Sequence, residues 1–116
     1  MMDENSYRQD VDEIFRRIDA AFEKVDPDLA ESDFSQGTLV VTFRQAHKLI
    51  LSPQAPLRQI WVAFRNRAWH FAWDSASRRW LDDRTQGVEL SGLIVELARD
   101  NASVQLALDL PYPSTA

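Results

Sequence analysis

Apolar residues recur at three- and four-residue intervals along residues 6–25, which is the period of an amphipathic helix. Ser6 and Gln9 have the spacing of a capping box at its start, and Pro27 ends it because the proline ring cannot continue a helix. The pattern predicts a helix with one buried stripe, formed by Tyr7, Val11, Ile14, Phe15, Ile18, Phe22 and Val25.

After this helix the apolar period changes to two, which is typical of strands with one buried face. A turn at Gln36 and Gly37 precedes alternating residues over 39–44, and Asn66 fits a tight hairpin between two later runs. Residues 52–56 hold two prolines and are predicted to form a turn or loop, since proline does not fit inside a central strand. The short connections predict an antiparallel meander, with further strands at 47–51, 58–64, 67–74 and 78–82.

Helical spacing returns over residues 89–100, after a loop at 82–87. Residues 104–108 are apolar enough for a packed strand or an extended clip, and residues 111–116 are predicted to form a loose tail. The order of helix, five or six strands and helix predicts one domain over residues 1–110.

Composition excludes several kinds of chemistry. The 116 residues contain no cysteine, which rules out a disulfide framework, a zinc–thiolate site, a cysteine-ligated cluster and a cysteine nucleophile. The chain also lacks a glycine-rich phosphate loop, a nucleophile elbow and a two-histidine metal spacing, so we do not expect an enzyme. The start carries no basic and apolar targeting pattern, and no run is long enough to cross a membrane, so a soluble cytoplasmic protein is expected.

Charge is distributed unevenly along the chain. Residues 1–33 hold eleven acids and four bases, residues 34–81 hold one acid and seven bases, and residues 82–116 hold six acids and two bases. The three net charges are therefore −7, +6 and −4. Opposed electrostatic surfaces suggest cation binding, protein docking or both, and the alternative is a solvated acidic helix with no such role.

The densest group of acids lies at the end of the first predicted helix. Its first two members are four residues apart on one helix face, two bracket the helix end, and two share one face of the next strand. Clustered carboxylates attract a hard cation, and with no closed cage the binding should be exposed and weak. A solubilising role is the alternative for this acidic ridge, which we define as Asp19, Glu23, Asp26, Asp28, Glu31 and Asp33.

The predicted sheet interleaves arginines with four tryptophans. Such a pattern occurs in platforms for single-stranded nucleic acid, but tryptophans also fill cores. Four indoles exceed what so small a core can bury, so we expect at least one to be exposed, where it could anchor a protein interface. For His47 and His70 a structural or surface role is favoured over metal ligation.

Residues 52–63 resemble the proline loop and the Q-(I/V)-W signature of the frataxin and CyaY family. Four further features match in the same order: an acidic first helix, a first hairpin at 37–43, the aromatic-His-Phe strand at 69–71, and the W-x-x-D-R run at 79–84. An apolar C-terminal helix completes the resemblance, which covers about residues 7–106. Lys24 and Ala20 stand where bacterial members often carry acids, which thins the ridge.

The resemblance implies an α+β fold, a two-layer α-β sandwich with two helices packed on one face of an antiparallel sheet of five to six strands. It implies a non-enzymatic regulator or iron donor of iron–sulfur cluster assembly, with at most slow oxidation of Fe²⁺. Ferrous and ferric iron would bind weakly on the acidic ridge. The protein would be a monomer, with iron-promoted oligomers possible.

The same resemblance implies partners. A cysteine desulfurase, and possibly the cluster scaffold protein, would dock on the ridge and on a sheet surface containing Gln54, Gln59 and Trp61, which we call the docking strip. Two alternatives stay open: an interaction module of the same machinery that needs no metal, and a single-stranded nucleic-acid platform.

Overall fold

The computed structural model describes residues 2–110 and contains two helices and six strands in that part of the chain. The α+β fold is thereby confirmed, with six strands as the upper of the two predicted numbers. In chain order the elements are α1 (Glu4–Glu23), β1 (Ala30–Ser35), β2 (Thr38–Phe43), β3 (Lys48–Gln54), a 3₁₀ turn (Ala55–Leu57), β4 (Gln59–Phe64), β5 (Arg67–Asp74), β6 (Arg79–Asp82) and α2 (Leu90–Ala102).

The strands follow one another in the sheet in sequence order, and each pairs antiparallel with the next. This is the predicted meander, and it leaves β1 and β6 as the two edges. The hairpin between β1 and β2 turns at Gln36 and Gly37, whose φ angles of 53° and 79° match the positive values of a type I′ turn.

Both helices pack on one face of the sheet, and the core lies between the two layers. The buried stripe of α1 contains six of the seven predicted apolar residues. Alternate residues of the strands are buried on the side of the sheet that faces the helices. The remaining member, Val25, is only partly buried and packs against the core. We call the opposite, helix-free side of the sheet its outer face.

The first helix begins earlier than predicted. Asp3 is its N-cap, and the Asp3 Oδ1 atom accepts a hydrogen bond of 2.8 Å from the backbone N–H of Ser6. The capping box at Ser6 and Gln9 is therefore wrong, because a carboxylate three residues before Ser6 already satisfies the open N–H group. The helix ends at Glu23, with Lys24 as its C-cap.

The proline segment is partly a strand, so the prediction of a loop over 52–56 is wrong for its first half. β3 continues through Pro53 and pairs with β4 up to Gln54. Its pairing with β2 ends at Leu51, so one side of Pro53 faces no neighbouring strand. A residue without an N–H group is tolerated there because no ladder hydrogen bond is lost.

The chain after α2 forms an extended clip rather than a strand. Leu106 is buried, while Val104, Leu108 and Leu110 are partly buried against the core. The predicted loose tail at 111–116 lies outside the described residues. Within residues 2–110, no helix is long and apolar enough to span a bilayer.

Candidate docking surfaces

The acidic ridge lies around the edge strand β1. Asp19 and Glu23 belong to α1, on the helix side of the sheet, whereas Glu31 and Asp33 are exposed on β1 and alternate with partly buried residues. Opposite them on β2 are Thr42 and Val40, so the strand acids point to the outer face. The ridge is thus two groups of carboxylates on either side of one strand.

Asp19 connects these two groups. It is half-buried, and its Oδ1 atom accepts a hydrogen bond of 2.6 Å from the hydroxyl of Ser32 on β1. This contact fixes the helix against the edge strand. It also occupies one oxygen of the Asp19 carboxylate, so Asp19 is less available to an external cation than the other members of the ridge.

The segment between α1 and β1 is ordered by its own acid. Asp26 accepts a hydrogen bond of 3.0 Å from the N–H of Asp28 through Oδ1, and its carbonyl oxygen accepts from Leu29 and Ala30. Such a turn suits aspartate because its short side chain reaches the backbone two residues on. Both carboxylates remain exposed.

Ion pairing separates the ridge from the rest of α1. Three acids in the first half of the helix, Glu4, Asp12 and Glu13, each pair with an arginine four residues later, at 2.7–3.1 Å. None of the six ridge acids forms a salt bridge with another described residue. The helix therefore presents neutralised charge at its start and uncompensated negative charge at its end.

The ridge does not converge on one point. Among residues 2–110, no group of three or more histidine, cysteine, aspartate or glutamate side chains is arranged to hold a metal ion. The assignment of the ridge as an iron site therefore stays a prediction.

The docking strip lies where β3 and β4 meet the proline turn. Gln54 and Gln59 face each other across the two strands. Beneath them the buried Tyr7 hydroxyl accepts a hydrogen bond of 3.0 Å from the N–H of Gln54 and donates one to the carbonyl of Gln59. Burial raises the pKa of Tyr7 above its ordinary value. A side chain of α1 thus holds the backbone from which the strip projects.

Trp61 is held in a ring of four side chains on the outer face. Its indole N–H donates to Gln59 Oε1 at 2.9 Å, and its ring lies flat on His70, with centroids 4.2 Å apart and an angle of 15° between the planes. Gln59 Nε2 in turn donates to Asp83 Oδ2 at 3.2 Å. The His70 Nδ1 atom lies 3.9 Å from the same oxygen, which is too long for a hydrogen bond but places His70 beside Asp83 as the fourth member.

Two members of this ring were not among the predicted site residues. His70 is opposite Trp61 because the β4–β5 hairpin turns at residues 65–66, a register that the predicted hairpin already implied. Asp83 lies in the loop after β6, and its position there could not be read from strand periodicity. The family-like run at 79–84 was the available signal for it.

The surface beside Trp61 is apolar and shallow. A depression of about 130 Å³ is lined by Ile50, Ser52, Ala63, Ala68 and His70 together with the indole. Ile50 is 38% exposed. Small side chains on neighbouring strands leave this part of the sheet flat, which suits contact with another protein surface.

The remaining tryptophans do not form a stacking platform. Trp69 and Trp80 are buried in the core, and Arg67 lies over the Trp69 ring at 4.6 Å. Trp73 is half-buried and meets Trp80 edge-on across β5 and β6. The expectation that at least one indole is exposed is wrong, because Trp61 and Trp73 are half-buried and each packs against a neighbouring ring.

Comparison with known proteins agrees with this architecture. A family model described as a frataxin-like domain matches residues 1–103. The iron-sulfur cluster assembly protein CyaY of Pseudomonas aeruginosa is 40% identical over 85 residues, which cover 73% of this chain and 78% of that protein. The CyaY protein of Azotobacter vinelandii is 33% identical over 110 residues, covering 95% and 94%. Among solved structures, frataxin from Psychromonas ingrahamii superposes with a TM-score of 0.76 at 23% identity, over 93% of this chain and 97% of that one.

Proposed function

The chain belongs to the frataxin-like domain family, and we propose that it serves iron–sulfur cluster assembly by docking on a cysteine desulfurase. Its curated relatives are named as proteins of that assembly process. The observation that carries the proposal is the pairing of two surfaces: an acidic ridge free of salt bridges in the described chain, and a fixed tryptophan on the outer face.

The acidic ridge would supply the electrostatic part of docking. Unpaired carboxylates on an exposed edge attract a basic surface over a distance and raise the rate of encounter. The same oxygens would bind Fe²⁺ or Fe³⁺ weakly as cargo, because hard cations prefer carboxylate ligands and no chelating cage is formed by the described residues. Both roles use the same side chains, so iron and the partner compete or cooperate there.

The docking strip would supply the short-range part. Trp61 offers a flat apolar face beside a shallow depression, and Gln54 and Gln59 border it with polar groups. Aromatic residues surrounded by such a polar rim are frequent centres of binding energy in protein interfaces. The protein acts in this proposal as a regulator or an iron donor and performs no catalysis of its own.

A direct test measures the affinity of the desulfurase for the protein by calorimetry, with and without Fe²⁺ under anaerobic conditions. The variant Glu31→Gln/Asp33→Gln/Asp28→Asn removes three ridge charges, and Glu4→Gln/Asp12→Asn/Glu13→Gln removes three paired charges from the start of α1. We expect the ridge variant to bind at least about tenfold more weakly and the control to stay within about threefold. Equal losses in both variants would show that net charge alone matters, and no binding by the unaltered protein would refute the proposal.

The measurements with and without Fe²⁺ distinguish an iron-binding protein from an interaction module that needs no metal. If iron is cargo, Fe²⁺ should shift the amide NMR signals of α1 and of residues 26–33, and the ridge variant should lose those shifts. Docking that is equally tight in iron-free buffer, together with an absence of iron-induced shifts, would leave the ridge as a protein contact only.

A further inference from the structure

We infer that Asp83 is a positioning residue that fixes the orientation of the Trp61 indole through Gln59, and thereby sets the strength of docking. The docking half of this inference rests on the proposed function. The orientation half concerns side chains within the chain and can be tested without a partner.

The end of β6 and the loop after it are hydrogen-bonded to both backbone groups of His70 on β5. The backbone N–H of Asp83 donates to the carbonyl of His70 at 2.9 Å. The buried Asp82 carboxylate accepts 2.8 Å hydrogen bonds from the N–H groups of His70 and Thr85. These three contacts bring the Asp83 side chain to the outer face beside β4, although Asp83 itself belongs to no strand.

Asp83 determines which way the Gln59 amide points. A glutamine amide has a donor group on one side and an acceptor on the other, whereas a carboxylate only accepts. The Asp83 Oδ2 atom therefore selects the Gln59 Nε2 group, at 3.2 Å, and turns Oε1 toward the Trp61 N–H, at 2.9 Å. Without the carboxylate, the Nε2 end of the amide loses its acceptor, and the hydrogen bond from the indole N–H alone holds the Gln59 side chain.

His70 adds a packing contact to this arrangement. Its Nδ1 atom lies 3.9 Å from the Asp83 oxygen, and its ring covers the indole face at a centroid distance of 4.2 Å. Trp61 is thus held at its N–H by one neighbour of Asp83 and on its face by the other. A side chain fixed in this way loses little conformational freedom when a partner binds, which favours affinity.

The orientation half is tested by NMR on the indole N–H signals. The Trp61 cross-peak is identified by its absence from Trp61→Phe. We expect Asp83→Ala to shift or broaden this cross-peak, because the Gln59 acceptor is released, while the cross-peak of the buried Trp69 stays in place. Asp83→Asn keeps an oxygen acceptor and should leave the Trp61 signal close to its original position, as should Asp100→Ala, which removes an exposed aspartate on α2.

The docking half is tested with the desulfurase in the same variants. We expect Asp83→Ala to weaken binding about fivefold to tenfold and Asp83→Asn to restore it to within about twofold. In a double-mutant cycle, Asp83→Ala should add no further loss to Trp61→Ala, because a positioning residue acts only through the residue that it positions.

Each contrary outcome refutes a separate statement. An unchanged Trp61 signal in Asp83→Ala overturns the orientation half. Additive losses in the cycle overturn the positioning role, since Asp83 would then contact the partner directly. A shifted signal with unchanged binding, in a protein whose binding does depend on Trp61, overturns the docking half. Failure of the unaltered protein to bind the desulfurase refutes the proposed function, and the NMR result still decides the orientation half.

Discussion

The two candidate surfaces differ in how firmly their side chains are held. On the ridge, Glu23, Glu31 and Asp33 are exposed carboxylates at the end of a helix and along an edge strand, with no salt bridge to any described residue. On the docking strip, by contrast, the side chains are hydrogen-bonded to their neighbours. The Gln59 amide donates to Asp83 through its nitrogen and accepts from the Trp61 indole N–H through its oxygen. One surface is charged and adaptable, and the other is nearly neutral and fixed.

This difference implies separate physical roles. An exposed cluster of like charge acts at a distance, so it changes the association rate and its effect declines with salt. A pre-oriented aromatic ring acts only on contact, so it changes the dissociation rate and is insensitive to salt. Substitutions on the ridge should therefore change the association rate, and substitutions on the docking strip should change the dissociation rate.

The largest expected effect is that of Trp61→Ala on docking. Loss of a central aromatic side chain should weaken binding to the desulfurase by about 2 kcal/mol or more, which is roughly thirtyfold, mainly through faster dissociation. The domain should still unfold cooperatively, because Trp61 lies on the outer face and not in the core. Surface plasmon resonance and thermal denaturation measure the two effects. An unchanged dissociation rate would remove Trp61 from the interface.

Next in size is the effect of Tyr7→Phe on stability. The variant leaves the N–H of Gln54 and the carbonyl of Gln59 without their bonds to the hydroxyl, so the free energy of unfolding should fall by about 1–3 kcal/mol. Urea denaturation measures this loss. A midpoint equal to that of the unaltered protein would show that water replaces the hydroxyl at no cost.

The same tyrosine gives a pH dependence. Because burial raises the pKa of Tyr7 in the folded state, its contribution is fully present below the unfolded pKa near 10 and is lost as pH rises above it. The stability difference between the unaltered protein and Tyr7→Phe should therefore shrink in alkaline solution. A constant difference from neutral to strongly alkaline pH would contradict the buried hydroxyl.

Much of the fold follows from periodicity, and its exceptions have local causes. The change from helical to alternating spacing identified both helices and the meander, because one face of every element is buried. Pro53 was wrongly assigned to a loop. A proline fits in β3 at this position only because the pairing with β2 has already ended at Leu51, and no local sequence pattern indicates where that pairing ends. The helix start was misassigned because Asp3 precedes the apolar stripe on which the prediction was based.

The site was less accessible to sequence reasoning. Counting charges located the acidic ridge, but whether the arginines of α1 pair with its earlier acids or with the ridge depends on side-chain geometry. His70 could be placed opposite Trp61 from the hairpin register. Asp83 could not, because its position depends on Asp82 binding two backbone N–H groups across the loop.

A further prediction tests the division of roles through salt. Raising the ionic strength from low to high should slow association of the unaltered protein with the desulfurase by about tenfold, because exposed charges are screened beyond the Debye length. The variant Glu31→Gln/Asp33→Gln should associate slowly at low salt and respond less to added salt. Stopped-flow fluorescence follows both rates. If salt instead accelerates dissociation and leaves association unchanged, the ridge is a contact surface like the docking strip.

The smallest expected effect is that of Ser32→Ala, which removes the hydrogen bond between the edge strand and Asp19. We expect the free energy of unfolding to fall by about 0.5–1.5 kcal/mol, because one side-chain bond between α1 and β1 is lost. Docking should change by less than about twofold, since the Asp19 charge remains and a long-range field does not require a fixed carboxylate. Urea denaturation and calorimetry on the same sample test both statements. A large loss of affinity with little loss of stability would mean that Asp19 must be held in place, and the ridge would then depend on fixed geometry as the docking strip does.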